Sequence, residues 1–188
     1  MRRLLLLLSA TLLILPFAAM AQTFSGMLST PSGITATPRW DQANGGFMLG
    51  WNISQLSDGS WSYTYSVTNA NGGNLSKELS HMIIEISPTA NSSNFWNFNW
   101  NGTGYSGWEI ATFSGANPSN PQMPGPMYGI KFDTPQDQGN SVTLSFMSSR
   151  APTWGDFYAK DGTYQGKDVV AWNEDFLMAD PTAPAQSG

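Results

Sequence analysis

The sequence predicts an all-β protein, built as a single antiparallel β-sandwich of jelly-roll-like topology. Apolar and polar side chains alternate with a period of two in several segments, and no segment after Phe17 keeps the period of 3.6 that a helix requires. Turn-forming clusters such as Asn44-Gly45-Gly46 and Asp58-Gly59 separate these segments. About seven or eight short strands punctuated in this way are typical of a sandwich, with a closed barrel as the nearest alternative.

The clearest predicted strand covers residues 61–67, where aromatic or apolar side chains alternate with hydroxyl side chains. Residues 142–146 repeat the pattern. One face of each strand is therefore expected to cover a core while the other faces solvent. The same alternation predicts five further strands, at residues 47–53, 81–86, 128–132, 153–159 and 168–172.

Residues 1–21 predict a cleaved secretory signal peptide. Arg2 and Arg3 precede an apolar run from Leu4 to Phe17, and small residues stand at positions 19 and 21. The run has on the order of 14 residues, fewer than the ~20 that span a bilayer. We therefore expect export through the inner membrane, a secreted or cell-surface location, and no membrane span in the mature chain.

The mature chain is expected to hold one domain, the β-sandwich at residues 22–179, followed by a flexible Pro/Ala/Ser tail at 180–188. The formal net charge is −5, and removal of Arg2 and Arg3 makes it two units more negative. Nucleic acid and anionic lipid are therefore disfavoured as partners, since both require a basic face. The chain has no cysteine, which excludes disulfides and thiolate metal sites.

A long aromatic loop at residues 87–127 is the strongest candidate for a binding site. It is rich in Asn, Ser, Gly and Pro, yet it carries many rings, so we expect it to fold over one end of the sandwich with one or two irregular strands. Flat rings next to amides suit carbohydrate, because the rings stack on sugar faces and the amides bond to hydroxyls. The alternative is that the rings cap one end of the core. The candidate ligand-binding residues are Trp96, Asn99, Trp100, Asn101, Tyr105 and Trp108.

Other polar residues give weaker signals for a site. His81 is the only histidine, so a structural role with a backbone hydrogen bond is favoured over a base or a metal ligand. Asp133, Asp137 and Asn140 lie in one turn, where ordinary turn formation is favoured over calcium binding. We therefore expect no bound metal and no cofactor.

Catalytic signals are sparse. Glu109 with Glu174 or Asp175 could form the carboxylate pair of a glycoside hydrolase, but sequence does not show whether they share a cleft. No Gly-x-Ser-x-Gly or phosphate-binding motif occurs. A non-enzymatic protein is therefore the favoured expectation.

Four blocks, at residues 63–67, 79–86, 115–133 and 150–162, together resemble the body of a group of exported bacterial PEP-CTERM proteins. The most specific parts are Trp-Gly-Asp-Phe-Tyr-Ala-Lys-Asp-Gly at 154–162 and Gly-Ile-Lys-Phe-Asp at 129–133. The resemblance covers about residues 60–180. It implies a surface or biofilm-matrix protein of a Gram-negative bacterium that makes exopolysaccharide.

Members of that class carry a C-terminal Pro-Glu-Pro motif, a hydrophobic helix and a basic cluster, which an exosortase system processes. The sequence reaches Gly188 without these elements, so the resemblance leaves both an anchored and a released form open. The expected function is that of a non-enzymatic matrix component, with extracellular polysaccharide as its partner. A carbohydrate-binding module that uses the aromatic loop is the alternative, and a glycan-active hydrolase is the third possibility.

Overall fold

Two six-stranded antiparallel sheets face each other in the computed structural model, which describes residues 22–180. The prediction of an all-β sandwich is therefore confirmed. The predicted signal peptide at 1–21 lies outside the described residues, and so does the predicted tail after Asp180. Within residues 22–180, no helix is long and apolar enough to cross a membrane.

The described residues form twelve strands. In chain order they are β1 (Thr23–Ser29), β2 (Ile34–Ala36), β3 (Met48–Gln55), β4 (Trp61–Thr68), β5 (His81–Glu85), β6 (Phe95–Trp100), β7 (Thr103–Gly104), β8 (Trp108–Phe113), β9 (Met127–Asp133), β10 (Val142–Ser148), β11 (Phe157–Tyr164) and β12 (Lys167–Asn173). Sheet A has the order β1-β3-β4-β10-β6-β7, and sheet B has the order β2-β12-β11-β5-β9-β8. Two short 3-10 turns, Gln42–Asn44 and Ser92–Asn94, lie in the connections.

The hairpin of β3 and β4 shows how the sequence sets the local structure. Its turn contains Gly59 at φ +84°, a conformation that glycine adopts without strain. The Asp58 carboxylate accepts a hydrogen bond of 2.9 Å from the Ser60 backbone N–H and fixes the turn. On β4, Trp61, Tyr63 and Val67 point into the core, as the alternation predicts.

The main core lies between the sheets, and a second apolar cluster covers the outer face of sheet B. In β11, Phe157 and Ala159 face the main core while Tyr158 faces the second cluster. The segment between β8 and β9 contributes Met123 to this cluster, and the Tyr158 hydroxyl donates to the Pro121 carbonyl at 2.7 Å. Sheet B is thus buried on both faces, whereas sheet A has one covered face.

The segment at residues 87–127, predicted as a long loop with one or two irregular strands, contains more strand structure than expected. It contains β6, β7 and β8, and β6 lies inside sheet A between β10 and β7. The alternation was hidden because Asn97 has a positive φ of 54° and the β6–β10 register shifts beside it. This irregularity puts Phe95, Phe98 and Trp100 on the same face despite their uneven spacing.

The remaining boundaries differ less. The strand predicted at 153–159 begins at Phe157 and extends to Tyr164. The edge strands β1 and β2 were not predicted. The strands predicted at 47–53, 81–86, 128–132, 142–146 and 168–172 are all present with small shifts at their ends.

Candidate functional site

Trp100, one of the predicted ligand-binding residues, lies inside the main core. Its side chain is 1% exposed, and its ring packs against Tyr105 with a centroid distance of 5.4 Å. The indole N–H donates to the Gln138 carbonyl at 3.4 Å. A sugar therefore has no access to the faces of this ring.

Tyr105 and Trp108 extend the core rather than forming an open platform. Both are half-buried, and Trp108 stacks on Phe98 with a centroid distance of 4.3 Å. The Tyr105 hydroxyl donates to the carbonyls of Asp133, at 2.5 Å, and Gly107. Burial raises the pKa of Tyr105, so its hydroxyl stays protonated and keeps these bonds.

Trp96, Asn99 and Asn101 lie away from the core. Trp96 and Asn99 pair with Met147 and Ser145 of β10, which face outward from sheet A. The Asn101 amide oxygen accepts a hydrogen bond of 2.7 Å from the Thr143 backbone N–H. The structure therefore does not bring the four candidate rings onto one surface, because only Trp96 projects from the outer face of sheet A.

His81 is a structural residue, although its partner differs from the one predicted. Its side chain is 4% exposed, and Nε2 lies 3.1 Å from the amide oxygen of Asn120 rather than from a backbone group. Burial lowers the pKa of His81 to about 4, and the charges of Lys131 and Lys160 contribute. The ring is therefore neutral at physiological pH.

The predicted carboxylate pair is not assembled. Glu109 is exposed and forms an ion pair with Lys131 at 3.4 Å, and Lys131 also binds Asp133 at 2.9 Å. Glu174 and Asp175 line a cleft that Glu109 does not reach. Across residues 22–180, no three His, Asp or Glu side chains are grouped in a way that could hold a metal ion.

This cleft lies between the two sheets and encloses about 460 Å³. Small-molecule sites in proteins usually enclose ~300–1,000 Å³. Strands from both sheets form its walls, and the segments before β11 and after β12 form its rim. Its lining consists of Leu28, Gly33, Leu49, Trp51, Ile53, Tyr65, Ile84, Glu85, residues 153–157, residues 173–175 and Asp180.

Aromatic rings form one part of the cleft. Trp51 of β3 and Trp154, from the segment before β11, meet edge to face with a centroid distance of 6.1 Å. Tyr65 of β4 stands opposite Trp51 in the sheet register. On the other side, Gly26 of β1 makes room for the Trp51 ring, since a Cβ at this position would lie 2.4 Å from a ring carbon.

Carboxylates form the other part of the cleft, and Asn173 holds two of them. Its amide nitrogen donates to Asp156 at 2.6 Å and to Asp175 at 2.7 Å, while its amide oxygen accepts from the Phe157 backbone N–H at 2.9 Å. The Asp156 backbone N–H donates to the Glu85 carboxylate at 2.9 Å. These bonds fix the acidic end of the cleft to β5, β11 and β12.

The carboxyl groups at the acidic end of the cleft have raised pKa values. Burial, with a smaller contribution from the neighbouring carboxylates of Glu85, Asp180 and Asp175, raises the pKa of Asp156 to about 7, while the Asn173 hydrogen bond acts to lower it. Burial likewise raises the pKa of Glu85 and of Asp180. The cleft lining contains no Lys, Arg or His, so its negative charge is not neutralised by the residues around it.

The cleft was missed because its residues are far apart in the sequence. The alternation correctly places Trp51 and Tyr65 on inward faces, but it does not show that space remains beside them. Trp154 and Asp156 belong to the most distinctive block of the sequence, 154–162, which is a local signal that could have drawn attention to this region.

No known protein family, no curated protein and no solved structure matches this chain. The resemblance to PEP-CTERM proteins therefore stays a hypothesis.

Proposed function

We propose that this protein is an exported, non-enzymatic component of a bacterial surface or biofilm matrix, and that it binds carbohydrate in the cleft. The observation that carries the proposal is the combination of Trp51, Tyr65 and Trp154 with hydrogen-bond acceptors in one cavity of about 460 Å³.

The chemistry of this lining suits a saccharide. Sugar rings present apolar faces that stack on indole and phenol rings, and their hydroxyls donate to carboxylate oxygens. The rigid walls reduce the entropy lost on binding, because Trp51 is held between Gly26 and Tyr65 in the register of sheet A. A soluble glycan segment of one or a few residues fits the enclosed volume.

The wider features of the chain support an extracellular setting. The signal peptide pattern at 1–21 directs export, and the PEP-CTERM-like blocks associate the chain with exopolysaccharide producers. The acidic net charge disfavours nucleic acid. The proposed carbohydrate site lies in the cleft, and not on the aromatic segment around Trp100 that the sequence suggested.

The proposal is tested on the mature chain with a glycan array, followed by titration of any glycan that binds. We expect Trp154→Ala to weaken binding at least tenfold, because it removes one wall of the cleft. Trp96→Ala is the matched control, since it removes an indole from the outer face of sheet A, and it should bind as the wild type does.

Two outcomes overturn the proposal. If folded wild-type protein binds no glycan, the carbohydrate function is lost. If Trp96→Ala abolishes binding while Trp154→Ala retains it, the site lies on the outer face of sheet A, as the alternative function requires.

A glycan-active hydrolase is the second candidate. It is favoured by a single observation, which is that Asp156, with a pKa raised by burial to about 7, lies beside Glu85 in the cleft. A carboxyl group that keeps its proton near neutral pH can act as a general acid. Release of reducing ends from a bound glycan, lost in Asp156→Asn, would establish hydrolysis, whereas an intact glycan after prolonged incubation would exclude it for that glycan.

A further inference from the structure

We infer that the cleft selects an amine-bearing sugar, with the ammonium group on the carboxylates around Asn173 and the sugar ring against Trp51 and Trp154. This inference rests on the proposed carbohydrate function and names the class of saccharide. Neutral sugars and N-acetylated amino sugars are expected to bind more weakly.

The first support is uncompensated charge. Glu85, Asp156, Glu174, Asp175 and Asp180 all line the cleft, and none of them takes part in an ion pair within residues 22–180. The lysines that pair are elsewhere, on carboxylates that do not line the cleft. A cavity with this lining attracts a cation and repels an acidic sugar.

The two arginines of the described chain, Arg39 and Arg150, also make their contacts away from the cleft. The guanidinium of Arg39 lies 5.0 Å from the centroid of the Tyr164 ring. Arg150 donates to the Thr89 hydroxyl at 2.9 Å. Neither arginine lines the cleft, so a cationic ligand would meet no competing side chain there.

The second support is the aromatic wall. Ammonium groups are attracted electrostatically to the faces of Trp and Tyr rings. Trp51, Tyr65 and Trp154 thus favour a cation as well as a ring face. A bare metal ion would use neither the wall nor the volume, and no metal-binding group of side chains exists within the described range.

The third support is the protonation of Asp156. Its pKa is raised to about 7 by burial and then by Glu85, Asp180 and Asp175, with Asn173 as the only group that opposes the shift. An ammonium ion in the cleft would favour the ionised form and so release a proton on binding. Affinity for an amine-bearing sugar should therefore pass through a maximum near neutral pH: it rises as Asp156 ionises, and it falls as the sugar amine, which titrates like an α-amino group at roughly pH 7–8, loses its proton.

The test compares three matched β-1,4-linked oligosaccharides of equal length, made of glucosamine, N-acetylglucosamine or glucose. Each is titrated into the mature protein and followed by calorimetry and by tryptophan fluorescence. We expect the glucosamine oligomer to bind at least tenfold more tightly than the other two, and its affinity to fall when salt is raised.

The double variant Glu85→Gln/Asp175→Asn removes two carboxylates while keeping hydrogen-bonding groups of similar shape. It should reduce the preference for glucosamine at least tenfold. Asp137→Asn, an exposed acid in the turn before β10, is the charge-matched control and should keep the preference. If the double variant fails to fold, the salt and pH dependence of the wild type still decides the question.

The outcomes separate this inference from the proposed function. If all three oligomers bind equally and Trp154→Ala weakens them all, the carbohydrate function stands and the preference for an amine is refuted. If only the neutral oligomers bind, the inference is likewise overturned. If none binds at millimolar concentration to folded protein, both the inference and the proposed function fail for this class of glycan.

Discussion

The aromatic segment from β6 to β8 and the cleft between the sheets both contain tryptophan and tyrosine side chains. In the segment these rings fill the core, whereas in the cleft they line a cavity. In the segment, Trp100, Trp108 and Tyr105 lie close together in the sequence and pack into or against the core. In the cleft, Trp51 and Trp154 are 103 positions apart in the numbering, yet they meet beside open space. In this protein, the rings that are close together in the sequence pack in the core, whereas the rings that come together from distant positions line a cavity.

Polar neighbours differ between the two regions as well. The amides near Trp100 bind the chain itself, as Asn101 does with Thr143. The cleft instead holds carboxylates whose pKa values are raised because burial is not offset by positive charge. A region that satisfies its own polar groups is stable, and one that leaves charge unpaired is suited to a ligand.

The largest expected effect is on stability, from truncation inside the aromatic segment. Trp100→Ala removes a fully buried ring and should lower the free energy of unfolding by about 3–5 kcal/mol, measured by urea denaturation. Trp96→Ala removes the same ring from the outer face of sheet A and should cost about 1 kcal/mol or less. Equal losses for the two variants would contradict the division between core and outer face.

A second variant changes the cleft through its backbone. Gly26→Ala places a methyl group 2.4 Å from a carbon of the Trp51 ring, so the ring must move. We expect a loss of about 1–3 kcal/mol in stability and weaker glycan binding. Gly104→Ala is the matched control on β7, where an added Cβ meets no atom within 4 Å, and both properties should stay unchanged.

Acid stability should depend on His81. Its pKa is about 4 in the folded protein and 6.5 ordinarily, so it favours folding above pH 6.5 and this contribution is lost as the pH falls toward 4. The slope should reach at most about 1.4 kcal/mol per pH unit. In His81→Gln, the free energy of unfolding should depend less steeply on pH between 4 and 6.5 than in the wild type, as measured by thermal unfolding. If the pH dependence is the same in both proteins, the pKa of His81 is not lowered by folding.

Asp156 should act in the opposite direction. Its pKa is raised from 3.8 to about 7, so its contribution to folding is complete below pH 3.8 and is lost as the pH rises through 7. Asp156→Asn should therefore gain stability relative to the wild type as the pH rises from 4 to 7, and level off above that. A constant difference between the two proteins over this range would refute the shifted pKa.

Sequence reasoning predicted the sandwich because the alternation in β4 and β10 reports directly on a sheet with one covered face. It failed for β6, where a single irregular residue, Asn97, broke the period of two. It could not find the cleft, because the meeting of Trp51, Glu85 and Asp156 depends on how β3, β5 and the segment before β11 are placed in space. The strand β6 was therefore missed because its alternation is interrupted, and the cleft was missed because its residues are far apart in the sequence.

The central claim is that a glycan binds at the cleft and not at the aromatic segment. Nitrogen-labelled tryptophan gives one indole N–H signal for each of the eight tryptophans, all of which lie after residue 21. On titration with a glycan that binds, the signals of Trp51 and Trp154 should shift, while those of Trp96, Trp100 and Trp108 remain in place. Shifts confined to Trp96, Trp100 and Trp108 would contradict the account.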